Sequence, residues 1–272
     1  MGMKVLLEVS HFSSGYSENV VFDVSFQVNS GQIIGVLGRN GSGKSTLLKG
    51  MMGTIPSKGK VYVSGKDFHS LSIKKRAQYM TMLMQCYETI EGISTLEMIE
   101  MARYAYSSFY SLNQNLSFRN QLIDMFGVEN LLNKDFMSLS EGQKQLIQLI
   151  RVFYQDTPMI LLDEPDSTLD FDNRHMIYHH IHHWVTSKQK GALIVLHDPI
   201  LALKYCDVIM LMSEGRMIEK INMHDDNCQV IEKKLHRLYP NILIRKDQKL
   251  DQYYCLLRSC DDQESEDLHV NN

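Results

Sequence analysis

Alternating and continuous apolar runs predict strands at the start and in the middle of the chain. Between Lys4 and about Ile34, apolar and polar positions alternate in NVVFDVSFQV, which is the period of a half-buried strand. Two later runs, MILLDE and GALIVLHD, are continuously apolar and end in acidic or imidazole side chains. Buried parallel strands show this pattern where they deliver residues to a site. The chain is therefore predicted to begin with a sheet-rich region and to continue into a parallel sheet.

The middle of the chain has a different, helical period. The segments TLEMIEMARYAY, FRNQLIDMFGV and EGQKQLIQLIRVFYQ each place apolar residues three and four positions apart, as amphipathic helices do. We predict a helical subdomain here, inserted at about residues 87–157.

The last part of the chain predicts a hairpin, a helix and a tail. CDVIMLMSEGRMIEK reads as two strands joined at a Glu-Gly turn, and CQVIEKKLHRLY as an amphipathic helix followed by two short strands. Residues 223–258 are thus expected to form a small extension, while residues 259–272 are polar and acidic enough to predict a disordered tail.

Length and charge restrict the class of protein. A chain of 272 residues can bury one sizeable core, or one core with a subdomain. Its formal net charge of −4 provides no excess of positive charge to neutralise a phosphodiester backbone. We therefore expect no nucleic acid as a main partner.

The cysteines and the absence of a long apolar run indicate the compartment. The five cysteines are widely spaced without a Cys-x-x-Cys pair, and they are Cys86, Cys206, Cys228, Cys255 and Cys260. This pattern predicts reduced thiols in the cytosol rather than a disulfide framework or a zinc site. No run of about 18 uncharged apolar residues occurs, and the start lacks the pattern of a leader. If the protein works at a membrane, another chain must span it.

A glycine-rich loop predicts a phosphate site. GRNGSGKST follows the apolar run IIGVL and precedes the helical stretch STLLKGMM, so it fits G-x-x-x-x-G-K-[ST] between a strand and a helix. Backbone N–H groups of such a loop surround the β-phosphate of ATP at the helix N-terminus. Lys44 is expected to bridge the β- and γ-phosphates, and Ser45 to ligate Mg²⁺. The residues expected to contact the nucleotide are Gly38, Asn40, Gly41, Ser42, Gly43, Lys44, Ser45 and Thr46.

Two carboxylates at the end of MILLDE complete the predicted hydrolytic chemistry. Asp163 is expected to hold the Mg²⁺ shell, and Glu164 to polarise the attacking water. A metal partner keeps one carboxylate ionised while the other accepts a proton, so the pair divides the two roles.

The segment LSEGQ, residues 139–143, opens a predicted helix with Ser140 at the N-cap position. Here the sequence resembles the ABC ATPase family, whose diagnostic pentapeptide is LSGGQ, over roughly residues 4–222. The resemblance implies that Ser140 and Gly142 contact the γ-phosphate of a nucleotide held by the opposite subunit, and that Gln143 belongs to the same site. Glu141 stands where the family usually has glycine. Because a carboxylate would repel the phosphate, its side chain is expected to point away.

The resemblance assigns further roles by position. Gln85 corresponds to the glutamine that senses the γ-phosphate beside Mg²⁺ and begins the segment facing the membrane partner. His197 corresponds to the histidine that contacts the γ-phosphate and the catalytic carboxylate, and Tyr16 to an aromatic that stacks on adenine. The loop that meets its twin across a dimer corresponds to Ser167, Leu169 and Asp170.

A histidine-rich stretch, RHMIYHHIHHW, raises the question of a metal site. On a helix, one face carries Ile177, Ile181, Trp184 and Val185. The other face carries His175, His179, His182 and His183. No cysteine or carboxylate completes a closed metal site with them, so we interpret the histidines as a solvated face, with adventitious metal binding as the alternative.

The resemblance also implies an architecture and an assembly. The expected fold is an α/β P-loop ATPase core with a parallel sheet, an N-terminal antiparallel β-subdomain and the inserted helical subdomain, all within residues 1–222. Two copies are expected to form a head-to-tail homodimer on the cytoplasmic side of the cell membrane. Its implied partners are integral membrane permease subunits and an external substrate-binding protein.

Three functions fit this pattern to different degrees. A non-transport ABC switch needs a second ATPase module or a long coiled coil between Lys44 and Ser140, and neither is present. An exporter ATPase shares every motif above. STLEMIEMARYAY and the segment from LHD to MIEK are similar to the importer ATPases for iron-siderophore complexes, haem and cobalamin, although Ala102 replaces their glycine before Arg103. Import of such a nutrient is favoured, and no residue in this chain identifies the transported substrate.

Overall fold

The computed structural model describes residues 4–84, 92–106, 116–250 and 252–257. The strands are β1 Val5–Gly15, β2 Asn19–Asn29, β3 Ile33–Leu37, β4 Ser57–Val63, β5 Lys66–Asp67, β6 Met80–Leu83, β7 Met159–Asp163, β8 Gly191–Leu196, β9 Val208–Ser213, β10 Arg216–Asn222, β11 Ile242–Asp247 and β12 Gln252–Leu257. The helices are α1 Lys44–Met52, α2 Ile73–Tyr79, α3 Thr95–Glu100, α4 Leu116–Phe126, α5 Glu141–Gln155, α6 Phe171–Ser187, α7 Pro199–Tyr205 and α8 Cys228–Leu235.

An antiparallel sheet forms the start of the fold, as predicted. Its strand order is β2-β1-β4-β5, and β1 pairs antiparallel with both β2 and β4. The buried side chains of these strands pack with Leu47, Leu48 and Met51 of α1 and with Val36 of β3. The antiparallel sheet therefore shares one hydrophobic core with the helix that follows the glycine-rich loop.

A six-stranded sheet of order β10-β9-β3-β8-β7-β6 forms the centre. All strands from β9 to β6 in this order run parallel, and only β10 pairs antiparallel. The strands β3, β7 and β8 are buried along their whole length, as strands covered on both faces must be. Their carboxyl ends lie at one edge of the sheet and carry the glycine-rich loop, Asp163 and His197.

Helices are inserted between β6 and β7, as the apolar period predicts. The rings of Phe126 on α4 and Phe153 on α5 lie 5.9 Å apart, and Ile147 and Ile150 of α5 are fully buried in the same core. The helix predicted over TLEMIEMARYAY is shorter than its sequence pattern, because α3 ends at Glu100 and continues as a 3-10 helix, Met101–Tyr106.

Helix α6 carries the histidine-rich stretch. Its buried face is the one predicted, with Ile177, Ile181, Trp184 and Val185 all buried. Its exposed histidines are His179, His182 and His183. The prediction is wrong for His175, whose half-buried ring lies 4.8 Å from the ring of Phe171 and whose Nδ1 lies 3.2 Å from the Tyr205 hydroxyl. The described residues contain no group of three or more His, Cys, Asp or Glu arranged to hold a metal ion.

The C-terminal extension is a helix and a two-stranded sheet packed on the core. The predicted hairpin of β9 and β10 turns at Glu214 and Gly215, which both have positive φ. Beyond it, Ile231 and Leu235 of α8 and Ile244 of β11 are fully buried in the main core. None of the helices within the described ranges has the length and apolar character to span a bilayer. The tail predicted to be disordered lies outside the described residues.

Candidate active site

The glycine-rich loop connects β3 to α1 at the carboxyl edge of the parallel sheet. Gly43 is the N-cap of α1 with φ 99°, a conformation that side chains other than glycine rarely adopt. A Cβ on Gly38 would lie 2.4 Å from the Met212 carbonyl oxygen and 2.5 Å from Ser42 Oγ. The loop therefore needs glycine at both positions to wrap so closely before the helix.

Lys44 is held inside this loop. Its side chain is 5% exposed, and its Nζ donates to the carbonyl oxygens of Gly38 at 2.7 Å and Arg39 at 3.1 Å. Burial lowers the pKa of Lys44, and the carboxylates of Glu164 and Asp163 oppose that shift. The loop thus places a buried cation at its centre, where phosphate oxygens are expected.

Asp163 and Ser45 meet beside the lysine. The Ser45 hydroxyl donates to Asp163 Oδ1 at 3.0 Å, and Asp163 is 2% exposed. Burial raises the pKa of Asp163, and the hydrogen bond from Ser45 works in the opposite direction. A hydroxyl and a carboxylate oxygen at this separation are ligands that Mg²⁺ prefers. The pair predicted from the sequence to hold the ion is therefore assembled in the structure.

Glu164 and His197 form a second pair at the mouth of the site. His197 Nε2 lies 2.5 Å from Glu164 Oε1, and the two side chains are 45% and 17% exposed. Glu164 has φ 51°, and its N–H donates to the carbonyl oxygen of Val195 on β8 at 3.3 Å. The strained backbone turns the carboxylate out of the sheet, toward the space above Lys44.

A cavity of about 440 Å³ joins Lys44, Ser45, Glu164 and His197, while Asp163 is not part of its described lining. Its described lining is Val20, Asn40, Gly41, Ser42, Gly43, Lys44, Ser45, Thr46, Glu164 and His197. Ser42 Oγ is buried and has no hydrogen-bond partner among the described residues. An unsatisfied hydroxyl is costly unless a ligand supplies its partner. A cation, backbone amides at a helix N-terminus and this hydroxyl together fit a polyphosphate.

The LSEGQ segment begins α5 and does not contribute to the described lining of the cavity. Ser140 is the N-cap, as predicted, with Gln143 N donating to its Oγ at 3.3 Å and Gln143 Oε1 accepting from its N–H at 3.1 Å. Glu141 Oε1 lies 2.8 Å from Lys144 Nζ. The Glu141 carboxylate is therefore paired with Lys144 on the same helix, and the positive charge of Lys144 offsets the negative charge of Glu141.

The segment after Glu164 is held by residues that the sequence reasoning missed. The Tyr178 hydroxyl donates to Asp166 Oδ1 at 2.8 Å, and Gln145 Nε2 donates to the Pro165 carbonyl oxygen at 3.0 Å. Asp170 caps α6 by accepting from Asn173 N at 2.9 Å. These contacts fix the loop that contains Ser167 and Leu169 between α5 and α6. The contacts of Tyr178 with Asp166 and of Gln145 with Pro165 join residues 12 and 20 positions apart, so no local pattern marks them.

Several predicted site residues do not belong to the described lining of the cavity. Tyr16 is exposed in the turn between β1 and β2, while Val20 of β2 lines the cavity. Gln85 lies outside the described residues. Gly38 lies behind the cavity, packed against Met212. Of the LSEGQ residues, Gly142 faces the next loop, where an added Cβ would lie 3.4 Å from a methyl carbon of Leu169.

Replacing Lys44 with alanine should weaken nucleotide binding, because Lys44 is the buried cation of the cavity. A charge-assisted contact of this kind is worth about 1.5 to 3 kcal/mol, so we expect roughly a tenfold to hundredfold loss of affinity. Titration with a fluorescent ATP analogue measures it, with exposed Lys60→Ala on β4 as the matched control. Unchanged affinity in Lys44→Ala would refute the assignment of the phosphate loop.

The fold and the site together define a P-loop ATPase: a parallel sheet presents a phosphate loop, a buried lysine and two carboxylates at one edge. The ABC transporter family profile matches residues 21–167. The chain belongs to this family, and the predicted ATPase class is confirmed.

Named relatives and a solved structure agree with this assignment. The chain is 30% identical over 230 residues to the hemin import ATP-binding protein of Hydrogenovibrio crunogenus, covering 81% of this chain and 87% of the relative. It is 28% identical to the petrobactin import ATP-binding protein of Bacillus anthracis, covering 86% of each. A chain of a proposed metal-chelate type ABC transporter in an inward-facing conformation shares the fold, with TM-score 0.76, 23% identity and coverage of 94% and 99%. The predicted fold class is thereby confirmed.

Proposed function

We propose that this chain powers an importer of an iron chelate, haem, cobalamin or a similar nutrient by binding and hydrolysing ATP on the cytoplasmic face of the membrane. The observation that carries the importer assignment is the similarity to hemin and petrobactin import ATP-binding proteins over most of both chains. The alternative, an exporter ATPase, has the same nucleotide chemistry and differs in its membrane partner.

Within the site, each side chain has a proposed task. Lys44 neutralises phosphate oxygens from its buried position, and Glu164 accepts a proton from the attacking water. His197, with Nε2 2.5 Å from Glu164, orients that carboxylate and contacts the γ-phosphate. Tyr16 stacks on the adenine ring from the neighbouring hairpin.

The donor set fits Mg²⁺ as well as nucleotide. Ser45 Oγ and Asp163 Oδ1 lie 3.0 Å apart beside the buried lysine, and Gln85 is proposed as a further ligand on the basis of the family resemblance. When bound, the ion supplies positive charge at the β- and γ-phosphate oxygens. The protein itself holds the two ligand oxygens in place, that of Ser45 on α1 and that of Asp163 on β7.

A second copy of the chain is proposed to complete the site. Ser140, Gly142 and Gln143 lie at the start of α5, and the cavity beside Lys44 is lined by other residues. A head-to-tail homodimer would bring the α5 N-terminus of one copy, with its amide groups, to the γ-phosphate held by the other. The loop containing Ser167, Leu169 and Asp170 would meet its twin between the two sites.

The membrane partner is proposed to contact the helical insertion. Tyr104 is 79% exposed, and Met84 and Met101 are also exposed. Met84 is the last described residue before the segment that contains Gln85. The 3-10 helix that carries Tyr104 is bonded to α2, because Gln78 Nε2 donates to the Ala105 carbonyl oxygen at 2.8 Å. Exposed aromatic and methionine side chains are common at protein interfaces. The permease subunits would thus reach the nucleotide site through residues near Gln85.

Copurification tests the proposed function. The tagged chain should be isolated from membranes of its source organism with an integral membrane permease, and an importer also predicts an external substrate-binding protein for that permease. Tyr104→Ala should reduce permease recovery while leaving nucleotide binding by the isolated chain unchanged, with exposed Tyr254→Ala as the control. Copurification with an export-type membrane chain would overturn the importer assignment. Copurification with a soluble complex alone would overturn the proposed role in transport.

A further inference from the structure

His197 is held by its backbone more than by packing of its ring. The side chain is 45% exposed, so the surrounding structure restrains the imidazole only in part. β8 ends at Leu196 and α7 begins at Pro199, which leaves His197 and Asp198 as a two-residue link. The path of this link determines the direction from which the imidazole approaches Glu164.

A tyrosine of the C-terminal extension is bonded to this link. The hydroxyl of Tyr239 donates to the carbonyl oxygen of His197 at 3.3 Å, across a separation of 42 residues. Burial raises the pKa of Tyr239, and the nearby carboxylate of Asp198 adds to the rise while Arg39 opposes it. The hydroxyl therefore remains a donor at neutral pH.

Tyr239 itself is firmly supported. Its N–H donates to the Leu235 carbonyl oxygen at 2.9 Å, and its own carbonyl oxygen accepts from Ile242 N at 3.1 Å. Leu235 and Ile242, before and after it, are buried in the main core, and the Tyr239 ring packs against that core. The phenol is consequently a fixed point relative to the parallel sheet.

The extension also contacts the helix that follows the link. Strand β12 packs on α7, whose N-cap Asp198 accepts from Ile200 N at 2.8 Å. Burial raises the pKa of Cys255 on β12 to about 11, and the Asp198 carboxylate contributes to the rise. The extension thus contacts the His197 carbonyl oxygen through Tyr239 and α7 through β12.

We propose that Tyr239 is a positioning residue for His197: its hydroxyl fixes the His197 carbonyl and so aims the imidazole at Glu164. This inference rests on the role proposed above for His197 at the γ-phosphate. It gives the C-terminal extension, residues 223–258, a part in ATP hydrolysis, although no atom of Tyr239 lines the described nucleotide cavity.

Tyr239→Phe tests the proposal in the full-length chain, because it removes the hydroxyl and keeps the packed ring. A lost neutral hydrogen bond corresponds to about a threefold to tenfold fall in kcat, with KM for ATP unchanged since the phosphate loop is untouched. Tyr253→Phe is the matched control: it lies in the same extension, its ring packs against the core, and its kcat should stay parental.

A double-mutant cycle separates positioning from a general structural effect. If Tyr239 acts through His197, adding Tyr239→Phe to His197→Ala should cause no further loss. Parental kcat in Tyr239→Phe, with a measurably lower kcat in His197→Ala, overturns this inference alone. Parental kcat in His197→Ala overturns the proposed role of His197 and the inference with it. Additive losses, or an equal loss in Tyr253→Phe, overturn the positioning role.

Discussion

Glu164→Gln should bind ATP normally and almost stop hydrolysing it. The amide has the size of the carboxylate and can still hydrogen-bond to His197, but it cannot accept a proton from water. Loss of a general base corresponds to about a hundredfold to ten-thousandfold fall in kcat. The Glu164 side chain is 17% exposed and lies 2.5 Å from His197 Nε2. The adjacent carboxylate, Asp163, is already bonded to Ser45.

Three measurements distinguish this result from misfolding. Phosphate release gives kcat, titration with a fluorescent ATP analogue gives affinity, and size-exclusion chromatography with ATP and magnesium should show an ATP-locked dimer accumulating. Glu129→Gln, the same change at an exposed position of the helical insertion, should behave as the parental chain. Turnover by Glu164→Gln at close to the parental rate under saturating magnesium would contradict the role of Glu164.

The sequence predicts the strand, loop and helix order around the phosphate loop well because its determinants are local. The motif predicts a phosphate loop where a strand precedes it and a helix follows it, and the apolar patterns on both sides place it there. The turn at Glu214 and Gly215 is predicted for the same reason, since two adjacent residues of positive φ favour a tight hairpin. In each case the residues that decide the structure lie within a few positions of one another.

Features that depend on exposed helices or distant contacts are not predicted. Helix α2 has no buried residue, so it lacks the apolar period that reveals α3, α4 and α5. His175 falls on the polar side of a helical wheel, yet Tyr205 of α7 covers it. The bonds of Tyr239 to His197 and of Gln145 to Pro165 likewise join separate elements. No spacing within the chain identifies such pairs, because only the assembled sheet brings them together.

Mixing two inactive variants should restore ATP hydrolysis if the site is shared between two copies. A Ser140→Arg chain keeps its own Lys44 and its cavity, but it presents a damaged α5 start to its partner. A Lys44→Ala chain has the opposite defect. Each homodimer then has both sites damaged, whereas a heterodimer has one site with both lesions and one with neither. Ser140 suits this test because it is exposed and caps α5 away from the described cavity lining.

The expected outcome is a partial return of activity that peaks near equal mixing. The experiment should include the membrane partner, so that dimers form at working concentrations, and heterodimers should be verified with two different tags. Random pairing makes about half of the dimers heterodimers with one intact site each, so about a quarter of the parental sites are restored if sites act independently, and fewer if they cooperate. Capping by Ser140 also supports α5, so Ser140→Arg must show parental affinity for the ATP analogue before mixing. Verified heterodimers without recovery at any ratio would count against a role of Ser140 in the opposite site, and full activity of Ser140→Arg alone would exclude it.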